Sequence, residues 1–163
     1  MSARKSLKVL MVCLGNICRS PTAHGVLSAL IKRRKLCDYL EVDSAGTGCW
    51  HLGEKPDRRS ISAAQVRGYD LRALIARQVK IMDFANFDYI LAMDSDNLRE
   101  LDKICPKEYK DKLDLLLKFG SSPEIVVPDP FYGESSDFEL VLDLVEDACE
   151  EFLEHVISSH SLS

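Results

Sequence analysis

The chain has 163 residues, of which 46% are hydrophobic and 29% are charged, and its formal net charge at pH 7 is -5. This length and composition predict one domain over residues 1–163, with flexible ends at 1–6 and 158–163. The acidic balance argues against a nucleic-acid-binding protein, since phosphate contacts require a basic face. We expect no membrane span, and the six cysteines lack the spacing of a disulfide framework. A cytoplasmic protein with free thiols is therefore expected.

The first predicted element is a strand that ends at a cysteine. An apolar run over residues 7–12 leads into Cys13-Leu14-Gly15-Asn16-Ile17-Cys18-Arg19-Ser20, and Pro21 falls in the first turn of a predicted helix. Glycine and asparagine tolerate positive φ, so this turn can direct successive backbone N–H groups inward. Such a ring of amides, closed by an arginine and followed by a helix N-terminus, is a site for a tetrahedral dianion.

Cys13 lies where this positive field converges. The field that binds phosphate also favours thiolate over thiol, so the pattern predicts a nucleophile at neutral pH. Ser20 can add a hydroxyl hydrogen bond to the sulfur, and Arg19 can bind two phosphate oxygens at once. Asn16 is expected to hold the strained loop backbone by hydrogen bonds.

The rest of the chain alternates between strands and helices. Strands are predicted at residues 40–44, 89–93 and 112–117, and helices after Pro21, over 56–68, from 94 or 95 to 105, and along an apolar stripe from 138 to 156. Asp94 is interpreted as a helix cap rather than a catalytic residue. The alternation predicts an α/β fold with parallel strands and helices on both faces. Ligands of such folds bind at the carboxyl ends of the strands, where Cys13 lies.

Six segments in order carry a resemblance to a known family. They are residues 12–21, Asp43-Ser44-Ala45-Gly46-Thr47, Pro56-Asp57-Arg58, Ala76-Arg77-Gln78, residues 87–94 and Pro128-Asp129-Pro130-Phe131-Tyr132-Gly133. Together they resemble the low-molecular-weight protein tyrosine phosphatases over nearly the whole chain. The resemblance implies a single-domain, three-layer fold with a four-stranded parallel sheet and a phosphate-binding loop after the first strand.

The resemblance also implies the roles of the site residues. Cys13, Arg19 and Asp129 are the expected catalytic residues, with Asp129 as the general acid. The expected substrate-binding residues are Leu14, Gly15, Asn16, Ile17, Cys18, Ser20, Trp50, His51, Phe131 and Tyr132. The aromatic residues of this set would form a flat slot above the phosphate cradle. No metal ion or cofactor is expected.

The implied reaction is hydrolysis of phosphotyrosine and small aryl phosphates through a phosphocysteine, with acid phosphatase activity. The expected partners are phosphotyrosine proteins or peptides, and inorganic phosphate or other oxyanions would inhibit. The chain is expected to be a monomer, with weak self-association left open. Cys18 is the expected redox partner of Cys13, because a second thiol can condense with an oxidised nucleophile.

Three alternatives stand beside this interpretation. An arsenate reductase of the same fold needs relay cysteines, yet none lies between Trp50 and Ile104. An arginine phosphatase usually carries threonine at the position of Ile17. A silent phosphate-binding adaptor does not need an intact catalytic set. Two positions depart from the family pattern. Leu74 stands where many members have a histidine, which predicts a missing hydrogen bond to the phosphate-binding loop. Phe131 stands where relatives commonly have a tyrosine.

Overall fold

The computed structural model describes residues 6–162. The flexible end expected at residues 1–6 therefore lies almost entirely outside the described residues. A second flexible end was expected at 158–163, but the last helix continues to His160. Leu162 then folds back and is buried in the core, because its apolar side chain gains more from packing than from solvent.

A four-stranded parallel sheet forms the centre of the fold, with strand order β2-β1-β3-β4. The strands are β1 Leu7–Cys13, β2 Leu40–Gly46, β3 Tyr89–Ala92 and β4 Leu113–Leu115. The expected sheet is confirmed, although β4 is shorter than the predicted 112–117. Short 3₁₀ segments, Lys107–Lys112 and Leu116–Phe119, lie on either side and end the strand pairing there.

Five α-helices surround the sheet. They are α1 Arg19–Arg33, α2 Arg58–Val66, α3 Ile81–Asn86, α4 Ser95–Ile104 and α5 Ser135–His160. Sequence analysis missed α3, which is only six residues long and has no helical stripe to reveal it. It placed the end of α4 correctly, because Pro106 cannot continue a helix. None of the described helices is long and apolar enough to cross a membrane.

Alternate residues of β1 face two different helical layers. Val9 and Met11 pack in the core that includes α1 and α5, whereas Leu10 and Val12 pack with α3 and α4. All four side chains are fully buried, as expected for a parallel strand covered on both faces. The three-layer prediction is therefore confirmed. Since β1 is central in the sheet, its carboxyl end opens between the loops that follow its neighbours, and Cys13 is placed there.

Candidate active site

The phosphate loop, residues 13–20, starts where β1 ends and runs into α1. The Cys13 sulfur is buried and lies 3.0 Å from the Ser20 Oγ, which confirms the predicted contact. The backbone N–H of Asn16 also points at this sulfur, with an N to Sγ distance of 3.3 Å. The loop that leads into α1 therefore places hydrogen-bonding groups around the sulfur.

Asn16 holds the curvature of the phosphate loop. Its backbone is left-handed, with φ of 58°, and its side chain donates to Ser20 Oγ at 2.8 Å and accepts from the Arg77 N–H at 3.0 Å. The predicted role of Asn16 is thus confirmed. Gly15 does not adopt positive φ, contrary to expectation. A Cβ at Gly15 would instead lie 3.0 Å from the His51 ring, so the glycine leaves room for the cleft wall.

Arg77 is a supporting residue that sequence reasoning identified only as part of a motif. Its guanidinium binds the carboxylates of Asp43 and Asp83 at 3.0 to 3.2 Å. Burial alone would lower the pKa of Arg77, but these two carboxylates outweigh it and raise the pKa. The ion pairs fix the backbone whose N–H reaches Asn16, so they brace the phosphate loop from behind.

Arg19 is only 3% exposed and lies at the base of the cavity. Its Nη1 donates to Asp94 Oδ2 at 2.5 Å and to the Val127 carbonyl at 3.0 Å, and its Nη2 lies 3.6 Å from Asp129 Oδ2. Burial favours loss of its proton, but the neighbouring Cys13 and Asp94 outweigh burial and raise the pKa of Arg19. The guanidinium is therefore a fixed cation, oriented before any anion binds.

Asp94 does more than the sequence indicated. Its Oδ1 accepts from the Asn97 N–H at 2.7 Å, which confirms the predicted cap of α4. Its other oxygen binds Arg19, 75 residues away in the chain. A buried arginine requires a carboxylate partner, so the need for one was predictable, but the partner's position depends on the fold.

The acid loop, residues 127–133, carries Asp129. The Val127 N–H donates to the Met93 carbonyl at 2.7 Å, which anchors the loop beside the end of β3. Asp129 itself is 46% exposed, and its Oδ1 accepts from the Phe131 N–H at 3.1 Å. Arg59 of α2 donates to the Phe131 carbonyl at 2.8 Å. Sequence analysis gave no role to Arg59, which joins α2 to this loop.

One cavity of about 270 Å³ brings most of the expected residues together. Phosphate-loop residues, including Arg19, form its base. The walls carry the rings of Trp50, His51, Phe131 and Tyr132 and the carboxylate of Asp129. The lining residues are Cys13, Leu14, Gly15, Ile17, Cys18, Arg19, Trp50, His51, Asp129, Phe131 and Tyr132. The expected residues Asn16 and Ser20 are not in this lining and support the loop from below. A deep polar base under an aromatic mouth suits an aryl phosphate.

The rings of the mouth differ in how firmly they are held. His51 hydrogen-bonds Glu54 through Nδ1 at 3.0 Å, and its ring centroid lies 6.2 Å from that of Phe131. Tyr132 stacks edge-on against Phe131 yet remains 96% exposed. Trp50 is also largely exposed. These outer rings are free to contact a substrate.

Leu74 lines a groove between α1 and the segment after α2. Leu74 packs partly buried against the main core, where it can make no polar contact. His24 of α1 lies beside the same groove, and its Nδ1 is 2.9 Å from Ser44 Oγ. Burial lowers the pKa of His24, although nearby Asp43 opposes this effect. Sequence analysis did not single out His24.

Cys18 and the other thiols have distinct environments. All six cysteines are free, as expected. Cys18 lines the cavity that contains Cys13, but burial, and then Asp57, raises the pKa of its thiol to about 12.

Within residues 6–162, no three metal-binding side chains converge.

The fold and the cysteine-arginine loop define a class of protein. The sequence model of the low molecular weight phosphotyrosine protein phosphatases matches residues 8–161. The chain therefore belongs to this family, whose members are cysteine-dependent hydrolases.

Individual relatives agree with this assignment. The mouse low molecular weight phosphotyrosine protein phosphatase is 42% identical over 151 residues, which cover 91% of this chain and 95% of the relative. A protein tyrosine phosphatase from Entamoeba histolytica superposes with a TM-score of 0.91 at 43% identity, covering 96% and 100% of the two chains. An arginine phosphatase from Drosophila superposes with a TM-score of 0.85 at 34% identity, covering 91% and 97%.

Proposed function

We propose that the protein hydrolyses phosphotyrosine in proteins or peptides, as well as small aryl phosphates, through a phosphocysteine intermediate. The observation that carries this proposal is that Cys13, Arg19 and Asp129 line one cavity whose mouth is aromatic. A thiol, a fixed cation and a carboxylate at one site provide a nucleophile, a phosphate ligand and a proton donor.

In the first step, the Cys13 thiolate attacks phosphorus in line with the tyrosine oxygen. The sulfur–phosphorus bond forms while the phosphorus–oxygen bond breaks. Arg19 and the loop N–H groups hold the equatorial oxygens, whose charge is redistributed in the transition state. Asp129 donates its proton to the leaving oxygen, so tyrosine departs as a neutral phenol.

In the second step, the Asp129 carboxylate takes a proton from water, and the water oxygen attacks phosphorus. The sulfur–phosphorus bond breaks, which releases inorganic phosphate and restores the thiolate. Both steps use groups of this chain, so neither invokes a metal ion or cofactor. Inorganic phosphate and other oxyanions would occupy the same cradle and inhibit, and acid phosphatase activity is part of the proposal.

The test is turnover of p-nitrophenyl phosphate and a phosphotyrosine peptide in the presence of EDTA. Cys13→Ser should abolish both activities, because a serine hydroxyl stays protonated and is a poor nucleophile. The matched control is Cys37→Ser, which removes an exposed thiol and should retain wild-type rates. Acid quenching during turnover should trap phosphate on Cys13. Wild-type turnover by Cys13→Ser would contradict the proposed nucleophile. No turnover by the wild type would contradict the proposal as a whole and would favour the adaptor.

A second candidate activity is arginine phosphatase, because a solved relative with that name has a closely similar fold. The position of Ile17 separates the two candidates. Its branched alkyl group lines the cavity and suits packing against an aromatic ring. We therefore expect kcat/KM for a phosphotyrosine peptide to exceed that for the phosphoarginine peptide of the same sequence. The reverse order would assign the second activity.

We also propose that Cys18 protects the nucleophile during oxidation. Peroxide converts the Cys13 thiolate to a sulfenic acid, and condensation with the Cys18 thiol would form a disulfide and release water. Both thiols line one cavity. After peroxide and then dithiothreitol, the wild type should regain most activity and Cys18→Ser much less, with Cys37→Ser as control. Equal recovery, or no Cys13–Cys18 crosslink in peptide mapping, would reject this role.

We also propose that the protein is a monomer in the cytoplasm. Its six free thiols suit that reducing compartment. Light scattering of the purified protein would test the monomer, with weak self-association appearing as a concentration-dependent mass.

A further inference from the structure

A second concave surface adjoins the active-site cavity on the side of α4. This acidic groove has a volume of about 500 Å³, and α4 and its cap contribute Asp94, Asp96, Asn97 and Glu100. It shares Leu14, Arg19, Trp50 and Asp129 with the catalytic cavity, and Arg19 is the one cation among the described residues of its lining. A ligand whose phosphorylated ring lies in the cavity can therefore extend into the groove past these shared residues.

The groove carries an excess of negative charge. Asp94 is engaged by Arg19, but among residues 6–162 the carboxylates of Asp96 and Glu100 pair only with their helical neighbours Arg99 and Lys103, at 3.0 and 2.9 Å. The Asp96 side chain is 82% exposed and that of Glu100 is 54% exposed. Exposed pairs of this kind contribute little stability, so an incoming cation can replace them.

Asn97 provides an independent observation. Its side chain is 3% exposed and forms part of the groove wall. Its Oδ1 is buried and accepts no hydrogen bond from any residue between 6 and 162. Buried amide oxygens almost always have a donor, and within the described residues this one has none.

These features select a donor-bearing organic cation. Three metal-binding side chains do not converge anywhere in the described part of the chain, which leaves the carboxylates too dispersed to coordinate a metal ion. A guanidinium or ammonium group on a long side chain can contact dispersed carboxylates and also donate to an amide oxygen. Arginine fits best, since its five N–H groups form a planar fork.

We propose that the acidic groove is a subsite for an arginine or lysine of the substrate, one or two residues from the phosphotyrosine. Consecutive Cα atoms are 3.8 Å apart, so a residue at that separation reaches a groove that shares a wall with the cavity. The proposal rests on the proposed function and specifies its substrate class: phosphotyrosine sequences with an adjacent basic residue.

The first experiment measures kcat/KM of the wild-type protein on matched phosphotyrosine peptides. Each peptide carries arginine, glutamine or glutamate at one position, scanned from two residues before the phosphotyrosine to two after it. We expect arginine to exceed glutamine by about 5- to 10-fold at one or two positions, as for a hydrogen-bonded charge at a half-exposed site. The preference should shrink at about 0.5 M salt, because screening weakens exposed ion pairs.

Variants of α4 then test whether the groove residues cause the preference for arginine. The double substitution Asp96→Asn with Glu100→Gln should reduce the arginine preference to about 2-fold, within the range of residual long-range charge effects. Asn97→Leu should also reduce it, because the leucine offers no acceptor. The matched control is Asp102→Asn, which removes one charge from the same helix outside the groove. It should retain the wild-type preference.

Turnover of p-nitrophenyl phosphate is the reference, since this substrate does not reach the groove. Normal turnover of it with equal rates on the arginine and glutamine peptides would overturn the subsite and leave the proposed function intact. No turnover at all would overturn the proposed function itself. An arginine preference that Asp102→Asn weakens as much as the double substitution does would reduce the effect to net charge and would also overturn the subsite.

Discussion

The phosphate loop and the acid loop meet at one cavity, but they are held in different ways. In the phosphate loop, six of the eight residues from Cys13 to Ser20 are buried. Internal hydrogen bonds and the Arg77 brace fix this loop. The acid loop buries Val127 and Pro130, while Asp129 and Tyr132 are exposed. Beyond its anchor at Met93, it is held by Arg19, which donates to the Val127 carbonyl, and by Arg59, which donates to the Phe131 carbonyl.

This difference corresponds to what each loop does. The phosphate loop must present its N–H groups where transition-state charge develops, and pre-arranged donors stabilise that charge without reorganisation. The acid loop must admit a leaving group, donate a proton and then admit water. The exposure of Asp129 allows all three. The phosphate loop, which has to hold its donors in place, is the more rigid of the two.

Removing the acid should produce the largest effect after loss of the nucleophile. We expect Asp129→Asn to lower kcat by about 10²- to 10⁴-fold, the usual contribution of a general acid. The loss should be larger for poor leaving groups than for p-nitrophenol, which departs readily without a proton. The inhibition constant of inorganic phosphate serves as control and should change little. A uniform loss across leaving groups would assign Asp129 a structural role.

Releasing the phosphate loop should have the next largest effect. Asn16→Ala removes two hydrogen bonds and places alanine at φ of 58°, and misplaced donors can lower kcat by about 10²-fold. Asn16→Gly separates the two causes, because glycine accepts this φ but cannot make the bonds. If Asn16→Gly restores wild-type kcat, backbone strain rather than hydrogen bonding is the cause.

The same contrast explains what the sequence could predict. The phosphate loop was recognisable because strand, asparagine, cysteine, arginine and Ser-Pro lie within a few consecutive residues and each acts locally. Asp129 was identified through family resemblance, since a carboxylate between two prolines has no local signature of catalysis. The braces were not predictable: Arg19 pairs with Asp94 over 75 residues, Arg77 reaches Asn16 over 61, and Arg59 reaches Phe131 over 72. Such pairs depend on how the helices and loops pack around the sheet.

Weakening the contact between Arg59 and the acid loop should lower kcat less than either substitution above. Arg59 lies over the rings of Phe131 and Phe138, 5.8 and 4.6 Å from their centroids, and its donated hydrogen bond holds the Phe131 carbonyl. Arg59→Met keeps most of the packing and removes this bond, together with the ion pair that Arg59 makes with Asp57 at 2.9 Å. We expect kcat to fall by about 3- to 10-fold, the value of one hydrogen bond. Arg58→Met is the matched control and should leave kcat unchanged.

A double variant shows whether Arg59 acts through the acid. If its only role is to position Asp129, adding Arg59→Met to Asp129→Asn should cause no further loss of kcat. Additive losses in the double variant would mean that Arg59 affects catalysis by another route.

The smallest expected effect concerns His24, which lies in α1, shortly after the phosphate loop. Burial lowers the pKa of this histidine in the folded protein, so the unfolded chain binds a proton more readily. The free energy of unfolding should therefore be highest above pH 6.5 and should fall as the pH drops below that value, by at most about 1.4 kcal/mol per pH unit.

His24→Asn keeps a partner for Ser44 Oγ but cannot titrate. Urea unfolding at pH 7.5 and 5.5 should show a smaller pH dependence for this variant than for the wild type, with His155→Asn measured in parallel as an exposed histidine. An unchanged pH dependence in His24→Asn would mean that His24 is protonated equally in the folded and unfolded states, and that its buried position in α1 tolerates a positive charge.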